Sequence, residues 1–250
     1  MLYSWSYTIL FFFSFWACIQ QDAPAGTSAF TSEEAVDTLL SQRIAPPEGY
    51  TRTKAEPASF ATWLRALPLK PTGSKVLLFN GKEKGNSTVH EAVVNLPIGK
   101  RDLHQCADAV MRLRAEYLWK NKKYSDIHFN LTNGFRVDYN RWRKGERIKV
   151  TGNRTEWAGG GKVSDSYDTF WQYLEFVFTY AGTLSLSKEL HPVKIAEMQP
   201  GDVFIKGGSP GHAVIVVDMA ENKKGQKVFL LAQSYMPAQE IHILKNFADR

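Results

Sequence analysis

Between Val203 and Leu244 short apolar runs alternate with polar turns, and this pattern restricts the fold more than any other feature of the chain. Val203-Phe204-Ile205 follows Pro200-Gly201-Asp202, and Ala213 to Asp218 is a nearly continuous apolar run opened by Gly211-His212. Val228 to Ala232 follows the polar turn Glu221 to Gly225, and Ile241 to Leu244 reads as an added edge strand. Strands joined by turns this short pair antiparallel, because a parallel pair needs a crossover of roughly a dozen residues or more.

Helices precede these strands, which makes the class α+β. Leu103, Cys106, Ala107, Val110, Leu113, Arg114, Tyr117 and Leu118 recur at spacings of three and four and form one apolar stripe. Asp102 with Gln105 three residues on resembles a capping box, so the helix is expected to start after Asp102, with Cys106 in its first or second turn. Ser166 or Asp165 caps a second helix over 167–180 that buries Phe170, Leu174 and Phe178 and ends at Gly182. Ser59 caps a short one over 60–67, stopped by Pro68. Lys75 to Phe79, the turn Asn80-Gly81 and Val89 to Val94 read as a hairpin. Residues 120–165 read as short strands and loops between two helices.

A chain of 250 residues that is 44% apolar and 13% aromatic can bury one sizeable core, which excludes wholesale disorder. The net charge of +6 favours anionic surfaces only mildly. Its clusters, Lys120, Lys122 and Lys123, then Arg141, Arg143, Lys144, Arg147 and Lys149, read as solvated faces. No nucleic-acid motif accompanies them.

Residues 1–17 carry no charge and contain the run Ile9 to Phe13, and the chain turns polar after Cys18. The run is short for a membrane span and suits a signal-peptide core over 1–18. Ala17-Cys18 resembles a bacterial lipobox, which implies lipidation of Cys18, export, and attachment to the membrane through that lipid alone. A plain secretory signal and an uncleaved anchor are the alternatives. Residues 19–45 then read as a tether, and the domain as 46–250. A lipidated Cys18 leaves Cys106 without a disulfide partner, and an unpaired cysteine in an exported protein needs another explanation. A Cys18–Cys106 disulfide is the competing account.

Cysteine catalysis needs a thiolate, which a helix N-terminus favours, and a base held by a third polar group. His212, first in a buried strand after Ser209-Pro210-Gly211, is the best-placed base among six histidines. Gln233 ends the neighbouring strand and so lies beside the start of His212's strand, where its side-chain oxygen can fix the imidazole. His104, two residues before Cys106, points to another helix face. No zinc-ligand spacing occurs, no cofactor is implied, and Gly159 to Gly161 reads as a loop. Trp142 and Trp157, set among polar residues, are the candidates to stack on a sugar or peptide.

Gly201-Asp202-Val203-Phe204-Ile205 with Gly211-His212-Ala213-Val214-Ile215-Val216-Val217-Asp218 resembles the histidine half of the papain-like CHAP- and NlpC-type cell-wall amidases and endopeptidases. Gln105-Cys106-Ala107-Asp108-Ala109-Val110 is similar to their nucleophile helix. The stretch from about Ile44 to Leu244 resembles an exported bacterial family, domain of unknown function 4846. It does so through Cys106-Ala107-Asp108, Gly201-Asp202-Val203-Phe204, Gly211-His212-Ala213 and Ala232 to Gln239. The first resemblance implies a papain-like α+β fold, with a nucleophile helix packed on an antiparallel sheet and an insertion over about 120–195 between helix and sheet. Cys106 would be the nucleophile, His212 the base and Gln233 the orienting residue. The Cys106 N–H, with Gln105, would be the oxyanion donor. The substrate implied is a peptide or peptidoglycan amide. The alternative is an inert envelope module that binds glycan or a protein through Trp142, Trp157 and the basic loop.

Overall fold

The computed structural model describes residues 2–4 and 39–246. In chain order the elements are β1 (Leu2–Ser4), α1 (Leu40–Arg43), β2 (Tyr50–Arg52), α2 (Phe60–Arg65), β3 (His90–Val93) and α3 (Cys106–Lys120). Next come β4 (His128–Asn130), β5 (Arg136–Asp138), α4 (Tyr139–Arg143), β6 (Arg147–Thr151), β7 (Arg154–Ala158), α5 (Tyr167–Tyr180) and α6 (Thr183–Glu189). The chain closes with β8 (His191–Pro192), β9 (Val203–Lys206), β10 (His212–Asn222), β11 (Lys227–Gln233) and β12 (His242–Leu244). The fold is α+β. Its antiparallel sheet runs β3-β12-β11-β10-β9-β1-β8, with β2 on the far half of β10, while β4-β5 and β6-β7 are separate hairpins.

β10 organises the sheet. His212 to Ile215 pair with β9, Ile215 to Glu221 with β11, and Ala220 to Asn222 with β2. A register shift between Val216 and Asp218 bends the strand, which keeps both Val216 and Val217 fully buried. α3 lies against β10, and its side chains are buried from Cys106 through Leu118. The expected single stripe is therefore too narrow. α3 is enclosed all round, because α5 covers the face that carries Arg112 and Glu116. Those two pair at 3.4 Å, the Arg112 guanidinium lies 4.8 Å from the Trp171 ring centroid, and the Tyr167 hydroxyl donates to Glu116 at 2.5 Å. Paired and stacked charges of this kind can be buried; isolated ones cannot.

Several expectations are corrected. α3 begins at Cys106, because Gln105 is its N-cap and Asp108 closes the box by accepting the Gln105 N–H at 2.9 Å. Asp102 instead accepts the Ala238 N–H at 2.7 Å, tying the helix approach to the loop after β11. Lys75 to Phe79 makes only isolated bridges, and β3 pairs with β12. β12 is thus an interior strand and β3 the edge. The tether ends before residue 40, since Leu40 is fully buried and its N–H bonds Leu67 O at 2.9 Å. Of the expected signal segment only Leu2–Ser4 is described, as β1 between β9 and β8. Cys18 and most of the tether lie outside the described residues. Among the described residues no helix is long and apolar enough to cross a membrane.

Asp218 joins the far end of the sheet to the helices. Its carboxylate, 4% exposed, takes Arg52 Nε and Arg65 Nε at 2.6 Å each. Breaking a buried ion group by removing one member leaves uncompensated charge. Asp218→Ala is therefore expected to lower stability by about 3 kcal/mol, read as a drop in the urea midpoint at unchanged slope.

Candidate active site

The N-terminus of α3, the start of β10 and the end of β11 converge. Cys106 is residue N1 of α3, where a helix leaves its N–H groups without intrahelical partners, and the Cys106 N–H faces its own sulfur. The residue is buried, at 9% exposure, and borders a cavity of about 400 Å³. Gln105, Asp108, Thr183, Gly211 and Tyr235 share that wall.

His212 opens β10 after a loop pressed tightly against α6. A Cβ on Gly211 would lie 2.1 Å from Thr183 Oγ1 and 2.3 Å from Gly208 O. Only glycine fits there, and the tight seat fixes where His212 leaves the loop. His212 Nε2 and Gln233 Oε1 are 2.8 Å apart. The amide oxygen can only accept, so Nε2 carries the proton and Nδ1 keeps its lone pair. Nδ1 is buried and has no partner. The Tyr235 ring stands edge-on to the imidazole at 5.2 Å.

The sulfur lies against the backbone of the strand that His212 opens. The backbone N–H of Ala213, the residue after His212, lies close enough to the Cys106 sulfur to favour the thiolate, as does that of Ala107. No hydrogen bond spans Cys106 and His212 themselves. Burial dominates these N–H groups and pushes the thiol above its ordinary value near 9, with the Asp108 charge adding to the rise. The expected lowering by the helix N-terminus is thus outweighed: desolvation penalises the thiolate more than the helix end favours it.

Gln105 is only partly available as an oxyanion donor. Its backbone N–H is taken by Asp108, which leaves the side-chain amide, 3.4 Å from Asp102 Oδ1, beside the cavity. Trp142 is corrected as a substrate-stacking residue, while Trp157 is half-buried and away from the Cys106 cavity. Trp142 is 5% exposed and packs on Tyr173 and Phe176 of α5 with Arg147 over it. Trp157 lies between Phe135 and the Arg141 guanidinium, 4.3 Å from its ring. Neither lines the Cys106 cavity. Arg141 pairs with Glu146, and Arg143 with Asp165 at 2.6 Å, so these cations cover aromatic rings and bind carboxylates.

Two residues escaped the sequence reading. His242 faces Gln233 in the β11–β12 register, and its buried imidazole contacts the Gln233 amide. Asp108, 5% exposed, borders the cavity with one oxygen unpartnered. A histidine in the last strand, opposite the orienting glutamine, was the available signal for the first. The second reads from sequence as an ordinary first-turn acid. Among the described residues no group of three histidine, cysteine or acidic side chains could hold a metal.

With this geometry established, comparison with known proteins adds one assignment. Residues 40–250 match the family described as Domain of unknown function (4846). The chain belongs to that family. The family's span starts at the first residue of α1 and takes in α3, β10, β11 and β12, so the whole convergence lies inside it. Searches of curated proteins and of solved structures return no match.

Burial holds the Asp108 carboxyl up at about 8, against an ordinary 3.8. Between those values the folded protein binds a proton that the unfolded chain has lost, so this group's stabilisation is full at low pH and fades as pH rises toward 8. Asp108→Asn should flatten the fall in stability between about pH 4 and 8 in urea titrations. A curve parallel to that of the wild type would mean that the carboxyl is already ionised at neutral pH.

Proposed function

We propose that the protein is a papain-like cysteine hydrolase, an amidase or endopeptidase acting on a peptide or peptidoglycan amide. One observation carries this reading: His212 has its Nε2 proton held by Gln233 and an unpartnered, buried Nδ1, and the N–H of the next residue, Ala213, faces the sulfur of Cys106 in the wall of a cavity. Among the described residues no other cysteine occurs. An imidazole with one nitrogen anchored and the other bare is the state that a general base needs.

The raised thiol pKa sets the form of the mechanism. Cys106 rests as a thiol, and its proton passes to His212 Nδ1 as the sulfur attacks the amide carbonyl carbon. The C–N bond then breaks, and His212 returns the proton to the leaving amine nitrogen. Water hydrolyses the thioester, with His212 taking the water's proton as the attack occurs, and frees the acid and Cys106. The Cys106 N–H, at the first turn of α3, with the Gln105 side-chain amide, receives the charge that develops on the carbonyl oxygen. Catalytic hydrogen bonds often tighten only around substrate, which accommodates the missing Cys106–His212 bond.

We propose further that the protein is exported to the envelope and lipidated at Cys18, with a peptide polymer as substrate and no nucleic acid; processing there removes Leu2–Ser4, so β1 belongs to the precursor and β9 becomes that edge of the mature sheet. A second reading, an inert envelope module for glycan or a protein partner, draws on the raised thiol pKa, since a thiol held protonated is a poor nucleophile. It loses the stacking surface expected at Trp142, which is buried, and keeps only the half-buried Trp157.

Cleavage of peptidoglycan stem peptides and of unmodified peptides, followed by mass spectrometry, separates the two. The hydrolase reading expects Cys106→Ala and His212→Ala each to reduce amide cleavage by at least roughly a hundredfold. It also expects iodoacetamide to label Cys106 faster as pH climbs into the alkaline range, with His212→Ala slowing labelling near neutral pH. Labelling indifferent to His212, with no amide cleaved, would leave the binding module.

A further inference from the structure

Behind Gln233 a second imidazole completes a line of polar contacts. The Gln233 Nε2 group and His242 Nε2 are 3.3 Å apart, and His242 Nδ1 lies 2.9 Å from the Glu240 backbone oxygen. Lys84 Nζ also reaches His242 Nε2 at 3.3 Å. His242 is fully buried, and it follows Ile241 into β12 so that its ring sits directly across the ladder from Gln233.

These contacts admit one arrangement of protons. A backbone carbonyl can only accept, so His242 Nδ1 carries a hydrogen. The neutral ring then offers a lone pair at Nε2, and both groups facing that nitrogen, the Gln233 amide N–H₂ and the Lys84 ammonium, are donors. Burial, with the Lys84 and His90 charges, holds His242 neutral by lowering its pKa to about 4. The Glu240 carboxylate turns away to Lys70, at 2.6 Å.

We infer that His242 is a positioning residue for His212, and that it acts by fixing which way the Gln233 amide points. With its N–H₂ drawn to His242, Gln233 must present its oxygen to His212. His212 must then hold its proton on Nε2 and keep Nδ1 bare. A flipped amide would set its oxygen against the His242 lone pair and its N–H₂ against His212 Nε2. That would move the His212 proton to Nδ1, the nitrogen required as base. The inference rests on the hydrolase reading for its consequence, but not for its measurement.

The test is the tautomer of His212, read from imidazole nitrogen shifts by NMR in Cys106→Ala protein, which needs no substrate. The expected result is a single Nε2–H form with His242 in place and a mixture with Nδ1–H in His242→Leu. Adding Gln233→Glu to His242→Leu should restore the single form, because a carboxylate accepts from His212 whatever stands behind it. A His212 ring that stays wholly Nε2–H in His242→Leu overturns the inference. Should His242→Leu fail to fold, His242→Phe, a ring without a lone pair, replaces it: an Nδ1–H form appearing on His212 supports the inference, and a His212 ring that stays wholly Nε2–H overturns it. If the tautomer responds but Cys106→Ala changes no amide cleavage, the relay stands and the hydrolase reading falls.

Discussion

The pairing of β10 with both its neighbours is the constraint on which the rest of the molecule depends. β9 pairs with its first residues, β11 with its middle, and β2 with its end, while α3 packs on its face. Antiparallel pairing with β11 sets the start of one strand beside the end of the other, so His212 meets Gln233 although 21 residues separate them. The same logic one strand further sets His242 beside Gln233. Seating α3 on β10 then brings Cys106 to Ala213. A one-residue slip of β10 would turn His212 into the opposite face and dismantle the arrangement.

Burial is the second theme, and it acts on charge as strongly as on packing. Asp218 between Arg52 and Arg65, and Glu116 between Arg112 and Tyr167, are buried charges with their partners supplied. Around the candidate site the partners are fewer. His104 is wholly buried, and its pKa is lowered to about 3 by desolvation and then by the Arg112 charge. The Cys106 thiol and the Asp108 carboxyl are pushed the other way by the same desolvation. Neutral forms prevail at this end of the sheet. That suits proton transfer through an unpaired imidazole better than a standing thiolate–imidazolium pair.

Much of the framework was legible in the sequence, because it depends on neighbours along the chain. Ser166 caps α5, its hydroxyl accepting the Thr169 N–H at 3.2 Å, and the helix runs over 167–180 as its apolar spacing requires. β9 begins at Val203, directly after Pro200-Gly201-Asp202, as the turn residues there require. Gln233 was legible beside His212 because short turns leave antiparallel strands only one way to run. The start of α3 was misplaced because Asp102 and Asp108 both stand three residues from Gln105, and sequence cannot say which carboxylate the backbone meets. Trp142 was misplaced because the arginines around it mark an exposed segment in sequence, although in space they lie over the rings.

By itself, then, the sequence determined the class, the antiparallel run of the last strands, the capped helices and the proximity of His212 to Gln233. These follow from periodicity and turn length, which act locally. Only the tertiary structure decided that α3 is enclosed on every side, that Trp142 is shut beneath α5, that His242 stands behind Gln233, and that desolvation governs the Cys106 thiol. Each of these sums the influence of residues remote in the chain, and neither dielectric surroundings nor lateral strand order is written in any local pattern.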